Sequence, residues 1–151
     1  MNLKELIGSG DKIGLFLLPF ALTGLILNIV NPSIFSISSS SMVIKTVSVI
    51  VLIPGFVIWI WSVVLILVKV PQRELITNGP YSLVKHPLYT GVALLVLPWM
   101  GFLFNTWLGV LLGILLYIAS RMFSPEEERI MSETFGPTWD EYLRKVKIPW
   151  L

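Results

Sequence analysis

VIKTVSVIVLIPGFVIWIWSVVLILV, residues 43–68, contains one charged side chain, Lys45. It is longer than the roughly 20 apolar residues a bilayer requires, so as a transmembrane helix it tilts or protrudes. Pro54-Gly55 sits near its middle, and Trp59 and Trp61 lie well inside it. Those indoles either pack in a bundle or approach one interface. The whole chain agrees with this reading. Hydrophobic residues make up 55% and charged residues only 13%, whereas a soluble domain carries about a quarter charged residues. The alternative class, a very apolar soluble core, fits this balance poorly.

Three further apolar runs flank this one, at residues 13–30, 88–104 and 107–123. Pro19 falls inside the first, which implies a kink or a locally re-satisfied backbone. Asn31-Pro32 ends it, and an uncharged Ser-rich loop follows at residues 33–41. Pro98 interrupts the third run, and Asn105-Thr106 leaves only a very short turn before the fourth. Gly109 and Gly113 are spaced as small-xxx-small, which lets helix backbones approach closely. The expected fold is an all-α integral membrane domain spanning residues 1–151. It has about four transmembrane helices, a tight C-terminal helical hairpin and a short cytoplasmic helical tail.

Residues 1–12 are mixed-charge and amphipathic. No small-residue cleavage site clearly follows the first apolar run, so it reads as a retained span. Lys4, Lys12, Lys69, Arg73, Lys85, Arg121, Arg129, Arg144, Lys145 and Lys147 fall on one side of a four-span topology, and Lys45 alone on the other. The positive-inside rule then places both termini and both polar stretches, residues 73–91 and 124–149, in the cytoplasm. With no Cys and a single His, disulfides, thiolate nucleophiles and multi-histidine metal sites within one chain are excluded. A net charge of +2, spread along the chain, gives no reason to expect nucleic acid.

Chemistry is confined to the two polar stretches. Residues 73–91 hold the only histidine, His86, and a turn signal at Asn78-Gly79-Pro80. Pro87 suits the first turn of a helix. His86, Tyr89 and Thr90 then share a face at its mouth, with Tyr81 and Lys85 just before them. A plain helix start, with His86 as cap and Tyr89 as interfacial anchor, remains open at this point. In the second stretch, Ser124-Pro125-Glu126-Glu127 reads as a capping box that starts a new helix. That leaves Glu128 without an obvious structural task. A carboxylate pair at a membrane mouth suits an ammonium group or a ribose diol, since carboxylates only accept hydrogen bonds. Arg121 either snorkels or meets an anionic group. Ile130, Met131, Thr134 and Phe135 fit an amphipathic helix ending at Gly136-Pro137, and a second short helix covers residues 139–146.

Gly79-Pro-Tyr-Ser-Leu-Val-Lys-His-Pro-Leu-Tyr-Thr-Gly91 resembles the Gly-x-Tyr…(Arg/Lys)-His-Pro-x-Tyr-x-Gly signature of the isoprenylcysteine carboxyl methyltransferase and phospholipid methyltransferase superfamily. Glu127-Glu128-x-x-Met131, with Phe135-Gly136, Trp139 and Tyr142, resembles that superfamily's Glu-Glu-x-x-Leu…Phe-Gly…Tyr-x-x-Tyr tail. Together they span roughly residues 68–149.

The resemblance implies an integral-membrane methyltransferase that moves a methyl group from S-adenosylmethionine to a lipophilic acceptor: a prenyl-cysteine carboxylate, an aminophospholipid or a small lipophilic molecule. By position, Leu75, Ile76 and Tyr81 would line the cofactor pocket. His86, Pro87, Leu88 and Tyr89 would hold the cofactor's methionine and nucleoside parts. Glu127 would bind the cofactor, and Glu128 and Arg121 would serve catalysis. The chain departs from the pattern at Phe123, where related sequences can place an arginine; Arg121 is the nearest substitute. Two rival readings are an NADPH-dependent sterol-type reductase, whose family shares the His-Pro-x-Tyr-x-Gly element, and a non-catalytic four-span protein.

Overall fold

The computed structural model describes residues 9–37 and 41–149. The amphipathic residues 1–8, the centre of the Ser-rich loop at 38–40 and the last two residues lie outside the described part. Among the described residues there are five helices: α1 Gly10–Val30, α2 Met42–Lys69, α3 Pro87–Leu103, α4 Leu108–Phe135 and α5 Pro137–Lys145. Short 3-10 turns occupy Pro32–Ile34, Val70–Gln72 and Gly79–Ser82. Among the described residues there is no strand, only isolated bridges between Ser36 and Thr106 and between Val84 and Ile148. Pro19 and Pro54 both sit inside uninterrupted helices.

The helices pack about the hairpin of α3 and α4. α1 runs mainly along α4 and α2 along α3, so the hairpin occupies the middle. Ser48, Gly55 and Ser62 form one buried stripe on α2, repeating every seven residues and facing α3. The two serines return their hydroxyls to the carbonyls of Ile44 and Ile58, four residues back, so no polar group is left bare. Gly55 lies against Leu95. On the other side of α3, a Cβ at Gly109 would stand 2.1 Å from the Leu97 carbonyl oxygen, and one at Gly113 would stand 2.4 Å from that of Ala93. A Cβ at Gly101 would stand 3.0 Å from the Gly109 backbone. The hairpin expected from Gly109 and Gly113 is present, with backbone on backbone.

Two expectations are refined. Among the described residues three helices are long and apolar enough to cross a membrane, and α3 is apolar but shorter, with a π-helical turn at Val92–Val96, so length and composition do not fix the count at four. The turn lies where α3 is pressed between Gly55 and Gly113. The second change concerns Ser124-Pro125, which starts no helix. α4 runs straight through it to Phe135. Ser124 is buried, and its hydroxyl has no hydrogen-bond partner among the described residues. Pro125 merely deprives the Arg121 carbonyl of its usual donor. Contacts made by the following turns, described below, outweigh the local stop signal.

At one end of the bundle the loop after α1 closes on the hairpin turn. The Trp107 N–H donates to the Phe35 carbonyl at 2.9 Å, their rings meet edge-on at 4.9 Å, and Thr106 Oγ1 donates to Asn28 Oδ1 at 2.9 Å. The other end stays open and carries the polar residues. Large apolar side chains on the outer faces of α1 and α2 are exposed throughout, as a lipid-facing surface requires.

Gly109→Ala and Gly113→Ala each force backbone apart and are expected to cost about 1–3 kcal/mol, lowering the thermal unfolding midpoint in detergent. Gly14→Ala, where a Cβ meets nothing within 4 Å, is the control and should leave the midpoint unchanged or raise it.

Candidate functional site

The loop between α2 and α3 is held in place by a few stereochemical constraints. Gly79 has φ +60°, and a side chain there would run into the Trp61 indole at 2.9 Å. Trp61, two turns before the end of α2, therefore packs against this loop. Ser82 Oγ donates to the Gly79 carbonyl at 2.7 Å, and Pro80 is buried. The end of the chain is laced onto the same loop. Ile148 N–H donates to the Leu83 carbonyl at 2.8 Å, and Tyr142 Oη donates to the Tyr81 carbonyl at 2.9 Å. Trp139, Tyr142 and Val146 of α5 and the following turn form a small core with Leu75, Met131 and Phe135.

Between these elements lies a cavity of about 450 Å³, within the roughly 300–1,000 Å³ range of small-molecule sites. The end of α2 supplies Ile66 and the turn after it Val70, the loop Leu75, Ile76 and Tyr81, and the start of α3 His86, Leu88 and Tyr89. α4 supplies Glu127, Glu128 and Met131, and α5 supplies Trp139 and Tyr142. Eight of the ten positions named from the sequence thus meet around one space. Pro87 does not line it; it is fully buried at the first turn of α3 and fixes the direction in which the helix leaves. Arg121 is exposed on α4, two turns before Glu128, and does not line the cavity. Thr90, expected on a face with His86 and Tyr89, is turned into the bundle and buried.

The three consecutive glutamates have three different surroundings. Glu126 pairs with Lys12 of α1. Glu127 Oε2 accepts from the Ser9 N–H at 3.3 Å. Glu128 Oε1 takes both Lys85 Nζ at 2.6 Å and His86 Nε2 at 3.1 Å. His86 therefore caps nothing; it makes no cap bond to α3 and reaches across to α4. Far from lacking a structural task, Glu128 ties the two polar stretches together.

His86, then Lys85, hold the Glu128 carboxyl well below its ordinary 4.5, at about 2. Burial pushes the Tyr142 phenol up to about 12, with the Glu128 charge adding to it. Burial and then the Glu127 charge likewise push Tyr81 up. Near neutrality the Glu128 carboxyl is ionised and the Tyr81 and Tyr142 phenols are neutral.

Several wall residues had weak or no signals in the sequence. Lys85 stood beside His86 but carried no role. Ile66 and Val70 look like any other span residues, and only their i, i+4 spacing puts them on one face. Arg73 and Glu74 also line the cavity, and nothing in Pro71-Gln72-Arg73 announces it.

Because Glu128 has a lowered folded-state pKa, the stability it contributes is complete above about pH 4.5 and is lost as pH falls through about 2. In thermal unfolding across pH 5 to 2, wild-type protein should lose more of its midpoint than Glu128→Gln, which has no carboxylate to neutralise.

Residues 42–134 match the family model described as isoprenylcysteine carboxyl methyltransferase (ICMT) family. No curated protein and no solved structure matches the chain. The matched residues run from the start of α2 almost to the end of α4, and they include every cavity residue except Phe135, Trp139 and Tyr142. They are more than half of the chain, and they enclose both the His86 and the Glu128 sides of the site. The protein therefore belongs to the isoprenylcysteine carboxyl methyltransferase family of membrane methyltransferases.

Proposed function

We propose that the cavity binds S-adenosylmethionine and that the protein transfers its methyl group to a lipophilic acceptor. The observation that carries this reading is the convergence of two polar stretches, some forty residues apart by the Lys85–Glu128 separation of 43, on one cavity at the end of an apolar bundle. The wall chemistry fits the cofactor. Leu75, Ile76, Leu88, Met131 and Trp139 offer apolar surface for a purine. Glu127 and the neutral phenols of Tyr81 and Tyr89 offer acceptors and donors for an ammonium group or a ribose diol.

When bound, the cofactor supplies an electrophilic methyl group on a sulfonium. The chain's contribution is positioning, worth roughly 7–11 kcal/mol when two reactants are fixed in line. Preorganised polar groups add to that. Glu128 holds the His86 and Lys85 side chains against α4 and so fixes the cavity wall. With its carboxyl at about 2, it is a poor base near neutrality. An acceptor that arrives ionised, such as a carboxylate, needs no base, and the site suits it better than it suits an ammonium group that must first lose a proton. Lys12, Lys69, Arg73 and Lys85 cluster at the cavity end, and Lys45 begins α2 at the other. This bias supports a cavity that faces the cytoplasm, with the polar cofactor entering from water and the acceptor from the bilayer.

S-adenosylhomocysteine titrated into detergent-solubilised protein should bind. His86→Ala and Glu127→Ala should each weaken it about tenfold or more, the loss expected for a charged hydrogen bond, with helix content unchanged by circular dichroism. Binding of NADPH but not of S-adenosylhomocysteine would overturn the reading.

A further inference from the structure

Arg73 has a left-handed backbone, with φ 56° and ψ 34°. The cause is the way α2 ends. Arg73 N–H donates to the Val70 carbonyl at 3.0 Å and Glu74 N–H to the Lys69 carbonyl at 3.2 Å. These two bonds form a Schellman motif, and Arg73 fills the position where glycine is usual. A bulky side chain is strained there, and such strain persists only where the surroundings or a function maintain it. Asn105 is the other described non-glycine residue with positive φ, and asparagine tolerates that conformation. Arginine has no such excuse.

The charges around the cavity show what the side chain does there. Glu74 is paired with Lys69, and Glu128 is shared by Lys85 and His86. Among the described residues no carboxylate lies within ion-pair distance of Arg73. Of the ionisable groups that line the cavity, this leaves Glu127 as the carboxylate without a cationic partner and Arg73 as the cation without an anionic one. One uncompensated charge of each sign matches a zwitterion, and a guanidinium pairs with a carboxylate in a bidentate fork.

We propose that Arg73 is a carboxylate-recognition residue of this cavity, held at its rim by the strained end of α2. Resting on the methyltransferase reading, this gives two sources for the carboxylate: the amino-acid end of the cofactor, where Glu127 faces the ammonium group, or an anionic acceptor.

The test uses Arg73→Gly, which removes the side chain and relieves the backbone. The variant should unfold at a higher temperature than wild type without ligand. It should bind S-adenosylhomocysteine about tenfold or more weakly while binding the decarboxylated analogue as wild type does. If the acceptor is the source, the same contrast appears between an S-prenyl cysteine and its carboxamide instead. Arg73→Lys, which keeps the charge but not the fork, should fall between the two. Equal weakening of a carboxylate and its neutral analogue, or no weakening in either pair, would overturn the proposal. Failure of wild-type protein to bind S-adenosylhomocysteine would count against the methyl-donor reading alone, and the prenyl-cysteine pair would then decide on Arg73.

Discussion

The approach of backbone to backbone between α3 and α4 is the constraint from which the remaining structure follows. In a bilayer, apolar side chains gain little by leaving lipid for protein, so helices associate through close packing and polar contacts. Gly101, Gly109 and Gly113 remove the side chains that would keep these two helices apart. Once α3 is seated on α4, its other face meets the small-residue stripe of α2, Ser48, Gly55 and Ser62. The register of the hairpin is then fixed along its length. That register brings His86, at the start of α3, within reach of Glu128, in the later turns of α4.

The continuity of α4 converts a membrane helix into one wall of the site. Successive residues on a helix point about 100° apart, so three adjacent carboxylates on a rigid helix cannot serve the same neighbour. Glu126 turns to Lys12 on α1, Glu127 to the Ser9 amide, and Glu128 to Lys85 and His86. A new helix starting at Ser124 would have been free to rotate against the bundle. The continuous helix instead ties α1, α4 and the loop before α3 through a single run of glutamates. Its last turns also seat Met131 and Phe135 against α5, so the same helix closes the far wall.

Much of this was legible in the residues. Long apolar runs bounded by Asn31-Pro32, Lys69 and Asn105-Thr106 located the helices, because lipid leaves the backbone few alternatives to helix. Gly109 and Gly113 announced the hairpin, and the His86 and Glu127-Glu128 motifs fall on two sides of one cavity. The reading failed where a local signal was overridden or missing. Ser124-Pro125 is a good helix start in isolation, but the contacts of Glu127, Glu128 and Met131 beyond it favour continuation. The π-turn at Val92–Val96 arises from neighbours on two sides and leaves no mark on its own apolar sequence. Ile66 and Val70 differ from other span residues only in what stands opposite them.

The two described non-glycine residues with positive φ lie at opposite ends of the bundle. At the end where Phe35 packs on Trp107, the left-handed residue is an asparagine, a type suited to the conformation. At the cavity end it is an arginine in a glycine position. A residue type at odds with its backbone beside a cavity marks a place where stability has been given up for something else. The glycine-packed hairpin and the small-residue stripe of α2 lie one or more turns deeper in the bundle and obey the packing rules closely. They offset the strain above them, and they do so without constraining the residues that line the cavity. A cavity wall with unusual backbone is thus carried by a bundle with ordinary packing, and α3 joins the two because its first turn belongs to the site and its remaining turns to the bundle.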